Sequence, residues 1–259
     1  EYNYDYSITN TCCGCGVCLT QCKFSAITLE RFEDGFIKSK IDKSKCKRCG
    51  KCKTICPFNL AKGNEIDKDT NILYMGYSKS KEVLQTSSSG GCGYELSKLM
   101  IDKGYSVIGC TYNNEKKEAE HIIVNNINDL NLLRGSKYLQ SDMREIINDI
   151  LTIDKGIFFG TPCQVAGIDG LLRQNNIRNS FILVDLICHG VPSYNLWEKY
   201  IDEKIKENKF KNNPNVEFRY KPLGWRNKNI KLESQGKEYI GNDKVDIFYD
   251  FFEKRNCFL

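Results

Sequence analysis

The chain is short of several things that would define a function. No apolar run approaches the roughly 20 residues that span a bilayer, so no transmembrane segment is expected. Nothing at the N-terminus resembles a secretory signal, and the Lys-rich composition reads as cytoplasmic. No GxGxxG follows a strand pattern, which removes support for an ordinary dinucleotide site. The net charge of +5 is mild and no aromatic-basic binding motif is evident, so a nucleic-acid partner is not expected. There are only two histidines. His121 lies in an apolar strand pattern and reads as structural, whereas His189 follows a strand and could exchange a proton.

Cysteine, by contrast, is abundant. Eight of the fourteen fall into two copies of CxxCxxCxxxC: Cys12, Cys15, Cys18 and Cys22, then Cys46, Cys49, Cys52 and Cys56. Matching cysteines are 34 residues apart throughout, so the segment is an internal repeat. Three thiolates at this spacing can wrap one corner of a cubane, while the fourth reaches a neighbouring cluster. Two [4Fe-4S] clusters follow, one held by Cys12, Cys15, Cys18 and Cys56 and the other by Cys46, Cys49, Cys52 and Cys22. Zinc is the nearest rival, but structural zinc sites usually arrive as separated CxxC pairs. Disulfides are disfavoured by the intracellular character. Cys13 lies outside the spacing and reads as a spare, and Pro57 follows Cys56 where Lys23 follows Cys22. Lys43, Lys45, Lys47, Lys51 and Lys53 crowd the second run, which reads as a solvated face and could also steer an acidic redox partner.

The remaining pattern predicts an α/β protein. Residues 1–68 form a small ferredoxin-like module whose linking segment is a hairpin: Ile27 and Leu29 alternate with polar residues, Asp34-Gly35 turns, and Phe36 and Ile37 resume. The module is too small for a conventional core, so the clusters should supply its stability. A polar stretch over 61–70 is the expected linker, and residues 69–259 form the larger α/β domain with a mixed sheet. Its strands are expected at 72–77, 106–112, 121–124, 156–159 and 181–187, and its helices at 94–103, 143–151, 165–174 and 196–207. Short strands then follow at 216–220, 230–233 and 238–240, with a last helix at 245–253. The chain opens without Met and stops at Leu259 after an amphipathic stretch, so it reads as a fragment truncated at its C-terminus.

Three loops attract a cofactor reading. Ser87, Ser88, Ser89, Gly90 and Gly91 lead into a helix, where small residues and free N–H groups suit a phosphate; a serine cap with flexible glycines is the plain alternative. In Gly160-Thr161-Pro162-Cys163-Gln164, Thr161 would cap a helix, Pro162 would fill its first turn and Cys163 would sit at the positive end. Cys188-His189-Gly190-Val191-Pro192 follows the next strand. Between the first two, residues 136–141 (SKYLQS) combine Lys137 with hydroxyls that could grip a phosphate or a flavin edge. Arg219, Lys221 and Arg226 around Gly224-Trp225 make a basic-aromatic group suited to an anionic tail.

Taken in order, the double cysteine run, SSSGG, SKYLQS, GTPCQVAG, DLICHGVPS and FRYKPLGW resemble the beta-subunit family of coenzyme F420-reducing hydrogenase and F420H2 dehydrogenase. The resemblance implies a ferredoxin-like module joined to an FAD-binding α/β domain, passing electrons between a hydride carrier such as coenzyme F420, FAD and two [4Fe-4S] clusters. By motif it assigns flavin contacts to Ser88, Ser89, Gly90, Gly91, Lys137, Thr161, Pro162, Cys163 and Gln164, with His189 nearby and Cys163 and His189 as catalytic candidates. Partners would be that hydride carrier and a redox protein or the other subunits of a complex. A subunit that only relays electrons between protein partners is the alternative.

Overall fold

The computed structural model of the protein describes residues 12–60, 72–188, 190–221 and 229–241. The N-terminal module holds helix α1 (Val17–Gln21), strands β1 (Ile27–Arg31) and β2 (Ile37–Ile41), and helices α2 (Lys51–Thr54) and α3 (Pro57–Leu60). β1 and β2 pair antiparallel, Ile27 opposite Ile41, as the alternating pattern predicts. α1 and α2 occupy equivalent places in the repeat, each preceded by a left-handed glycine, Gly16 at φ 77° and Gly50 at φ 76°. Only glycine adopts that conformation without a Cβ clash, and it turns each thiol loop back on itself.

The larger domain begins with α4 (Lys81–Thr86), capped by Ser80, and α5 (Cys92–Asp102). A five-stranded mixed sheet follows, with β3 (Ser106–Asn113), β4 (Glu118–Val124), β5 (Ser141–Asp142), β6 (Gly156–Gly160) and β7 (Phe181–Asp185) in the order β5-β4-β3-β6-β7. β3, β6 and β7 run parallel and β4 is antiparallel to β3. α6 (Pro162–Gln174) crosses from β6 to β7, and α7 (Tyr194–Glu207) leads to an antiparallel sheet of β8 (Asn215–Phe218), β9 (Ile230–Ser234) and β10 (Lys237–Ile240). Among the described residues, no helix is long and apolar enough to cross a membrane.

Several expectations need correction. Residues 72–77 form neither strand nor helix, and Leu73 and Met75 are 96% and 101% exposed. An apolar run without alternation carries no period, and here it pairs with no described strand. The expected helix at 143–151 consists of turns and a short 3-10 segment, Asp149–Thr152. Its period is nevertheless real, because Met143, Ile146, Ile147 and Ile150 are all buried. β7 ends at Asp185, leaving Ile187 94% exposed. The expected linker at 61–70 and helix at 245–253 lie outside the described residues.

The cysteine module also has more core than its size suggests. Leu29 and Ile37 join a buried cluster with Tyr194, Trp197, Tyr200, Phe218 and Leu232. Cys15, Val17 and Ile55 join another with Ile108, Phe158, Ile168 and Leu171. Burying these faces on the neighbouring sheet and helices supplies the apolar contact that a module of this size cannot make alone.

Candidate functional site

The eight repeat cysteines separate into two neighbourhoods. Burial raises the Cys18 thiol well above the ordinary range, and Cys15, Cys12, Cys56 and Cys52 add to the rise. Burial also pushes Cys56 up to about 11, with Cys15 and Cys12 adding to the rise. Cys52 is raised by burial and then by Cys46, Cys49 and Cys22. The neighbours of Cys56 and Cys52 are those of the crossed pairing expected from the spacing, while Cys18 also has Cys52 of the other set beside it. No three metal-ligating side chains among the described residues converge on a single-ion position. Thiols close enough to repel yet separated in this way fit ligands on different irons of a cluster better than four ligands of one zinc. A cationic iron-sulfur core would also reverse the repulsion that now disfavours the thiolates.

The two neighbourhoods differ in exposure. Cys15 is buried against the α/β domain, whereas Cys49 is exposed. Cys13 is not a spare. Its thiol hydrogen-bonds the sulfurs of Cys15 and Cys163, which together with burial keeps it protonated, and the same contact lowers Cys15. Gly167, one turn beyond Cys163 on α6, completes the contact: a Cβ there would lie 3.0 Å from the Cys15 sulfur and 3.3 Å from Val17. The Cys15 corner thus sits in a notch that only a glycine leaves open.

Thr161 and Gln164 form the capping box expected at the start of α6, and Pro162 occupies its first turn. The Thr161 hydroxyl is 3.2 Å from the Cys163 sulfur. Gln164 Nε2 donates to the Ser141 hydroxyl at 2.8 Å, tying this loop to β5. The Leu186 N–H donates to the Gly160 carbonyl at 2.9 Å, holding the loops after β6 and β7 together. Burial raises the Cys188 thiol, with Cys163 as its charged neighbour. His189, Gly224, Trp225 and Arg226 lie outside the described residues.

A cavity of about 280 Å³ opens where SSSGG, SKYLQS and the start of FRYKPLGW meet, lined by Ser87, Ser88, Arg134, Lys137, Arg219 and Lys221 among others. Four cations face one carboxylate, Glu217, whose acidity burial weakens. Among the described residues, the Ser87 hydroxyl and Arg134 Nε are buried without hydrogen-bond partners, a costly arrangement that an oxyanion would relieve. Burial lowers Lys137 to about 8, and its ammonium donates to the Leu132 and Arg134 carbonyls. Lys221 Nζ donates to the Ser89 carbonyl at 2.8 Å, and Arg219, at φ 60°, donates to the Tyr138 hydroxyl. The site fits a phosphate-bearing group, and its volume suits a diphosphate better than a whole dinucleotide.

Three motif residues serve other ends. At Gly90 a Cβ would lie 2.8 Å from the Gly76 carbonyl, and at Gly91 2.9 Å from Val83, so their smallness is required by packing within the chain. Gln140 of SKYLQS grips protein: its Oε1 accepts from the Ile37 N–H at 2.7 Å, and its Nε2 donates to the Ile37 and Cys13 carbonyls at 2.8 and 2.9 Å. Arg134 was not anticipated, although Arg-Gly directly before SKYLQS was the available signal. His121 is structural: it stacks on Phe158, its Nε2 lies 3.0 Å from the Phe159 carbonyl, and burial lowers it to about 4.

Paired thiol runs joined to an α/β domain with a cation-lined cavity mark an iron-sulfur electron-transfer protein. Residues 11–60 match the 4Fe-4S dicluster domain, and residues 153–259 match the C terminus of the coenzyme F420 hydrogenase/dehydrogenase beta subunit. Over residues 153–259 the chain is thus similar to the coenzyme F420 hydrogenase/dehydrogenase beta-subunit family. One similar solved chain comes from the F420-reducing [NiFe] hydrogenase complex of Methanosarcina barkeri, at 14% identity and a TM-score of 0.49, covering 68% of this chain and 61% of that one. No match is found among the curated proteins.

Proposed function

We propose that this protein is a flavin- and iron-sulfur-dependent oxidoreductase that passes electrons between a hydride carrier, of which coenzyme F420 is the leading candidate, FAD and two [4Fe-4S] clusters. Residues 1–68 would form the cluster module and 69–259 the flavin domain. One observation carries the reading: a series of bonds and one charge interaction lead from the cation-lined cavity toward Cys15. Lys137 lies in the field of Cys110, Cys110 hydrogen-bonds Ser141, Gln164 bonds Ser141, Thr161 bonds Gln164 and Cys163, and Cys163 meets Cys13 beside Cys15.

Each residue has a defined task in that reading. Ser87, Ser88, Arg134, Lys137 and Arg219 hold the phosphates, and Gly90 and Gly91 shape the loop that presents the serines. Thr161, Pro162 and Gln164 fix the loop after β6 so that Cys163 stands between the cofactor and the first cluster. Cys163 at that edge and His189 are the catalytic candidates. A bound flavin supplies the conversion between hydride and single-electron chemistry. The cysteines hold the clusters in the crossed groups described above, in a reducing compartment such as the cytoplasm.

Anaerobic reconstitution tests the proposal through iron, sulfide and flavin content and a screen of reduced deazaflavin against nicotinamide donors. Two clusters, one bound flavin and donor-dependent dye reduction are expected. Protein without flavin that reduces no dye would overturn the reading. The exposed Cys49 favours the alternative, a relay without its own substrate site, and that alternative fails if the isolated chain oxidises a hydride donor.

A further inference from the structure

The second thiol group reaches the surface at Cys49, in a concentrated positive field. Between Asp42 and Thr54 the chain carries Lys43, Lys45, Lys47, Arg48, Lys51 and Lys53 against Asp42 alone, a net +5 equal to the formal net charge of the whole protein. The remaining residues therefore balance to zero, and the molecule's excess charge is focused on one cluster's loop. Lys43, Lys45, Lys47, Arg48 and Lys51 are exposed, as is Cys49 among them. A Cβ at Gly50 would meet nothing within 4 Å, so the approach to this loop is open. Asp42 is already engaged by Ser44 and by Lys45 at 3.5 Å.

The patch also has an apolar element. Phe24 is 45% exposed and lies two residues from Cys22, the fourth ligand assigned to this cluster, with the exposed Lys23 between them. An aromatic contact beside a charged rim is the composition of a transient docking surface, in which the rim steers encounter and the aromatic supplies contact area. A solvated lysine face would not require the excess charge to gather on the loop that brings Cys49 to the surface.

We infer that this face is the docking site for a small acidic one-electron carrier protein, which exchanges electrons with the cluster held by Cys46, Cys49, Cys52 and Cys22. The inference rests on the cluster assignment proposed above and adds the partner's chemistry. Charge complementarity selects such a carrier over a basic one, and the single exposed aromatic limits the complex to a weak, rapidly exchanging one. Redox encounters of this kind bury the least area of the interface classes.

The test measures complex formation, not turnover. Reconstituted protein, assayed for iron, is titrated with an acidic [2Fe-2S] ferredoxin and, in parallel, with a basic c-type cytochrome, at low salt and near 0.2 M salt. Ferredoxin should bind at low salt and lose at least tenfold in affinity as added ions screen the face, since the screening length falls from about 30 Å at 0.01 M to about 10 Å at 0.1 M. The cytochrome should not bind. The paired charge reversal Lys47→Glu/Lys51→Glu should abolish ferredoxin binding, the neutral pair Lys47→Gln/Lys51→Gln should weaken it, and Lys237→Glu on β10 should leave it unchanged. Salt-independent binding, equal binding of the cytochrome, or charge reversal without effect at full iron content would overturn the inference and leave the proposed function standing. Protein that takes up no iron would overturn both.

Discussion

Replacing Gln140 should uncouple the cysteine module from the sheet behind it. The side chain is 7% exposed and makes three hydrogen bonds to backbone groups of the module, with the Ile37 N–H, the Ile37 carbonyl and the Cys13 carbonyl. Each bond contributes about 1 kcal/mol net, and a buried group left without a partner costs about 1–3 kcal/mol. Gln140→Met keeps the length and removes all three bonds, so it should destabilise by about 3–5 kcal/mol. For a chain of this size about 1 kcal/mol corresponds to roughly 2–4 °C, giving a fall in Tm near 10 °C. Gln140→Glu retains the acceptor for Ile37 but sets a carboxylate against two carbonyls, so it should be no better. Scanning calorimetry of reconstituted protein measures the shift, and iron content reports whether the loop at Cys12 to Cys18 still closes. A Gln140→Met protein within about 1 kcal/mol of the native one would refute the assignment of Gln140 as the tie between the two parts.

Three other outcomes follow from the same geometry. Gly167→Ala places a methyl 3.0 Å from the Cys15 sulfur, whereas Gly170→Ala has its nearest neighbour at 3.8 Å. The first should alter the electron paramagnetic resonance of one reduced cluster and cost about 1–3 kcal/mol before a helix-propensity gain of about 1 kcal/mol, while the second shows only the gain; equal behaviour would sink the notch. His121 is held near 4 by burial, below its unfolded value, so the native state binds fewer protons than the unfolded one as pH falls through 6.5 toward 4. Stability should therefore drop over that window in urea titrations by up to about 3 kcal/mol, and His121→Gln should flatten the drop. Lys137, lowered to about 8, carries its charge below that pH. Affinity for inorganic pyrophosphate should fall as pH rises above 8 and should be weak and pH-independent in Lys137→Met, as read by calorimetric titration.

Much of this was legible without coordinates. The cysteine spacing pointed to a 4Fe-4S dicluster module, because thiolates three residues apart reach one cluster corner and one set further back reaches a neighbouring cluster. The hairpin, the mixed sheet and the capping box at Thr161 followed from local rules: side-chain alternation, turn residues and orphan N–H groups at a helix start. Local rules failed where burial was decided at a distance. The apolar run at 72–77 paired with no described strand, and 143–151 kept a helical period without a regular helix, because tertiary packing overrides periodicity in short segments.

The functional residues divide in the same way. Composition and spacing alone marked the protein as an electron carrier with a lysine-rich loop. Only the tertiary structure turned Cys13 from a spare into the neighbour of Cys15 and Cys163, and showed Gln140 as a clamp on the cysteine module. It also placed Arg134 in the cation-lined cavity, buried Cys15 and left Cys49 exposed. Each of these depends on contacts between residues tens of positions apart, brought together when the hairpin and α6 bury their apolar faces on a common sheet, and no local pattern records them.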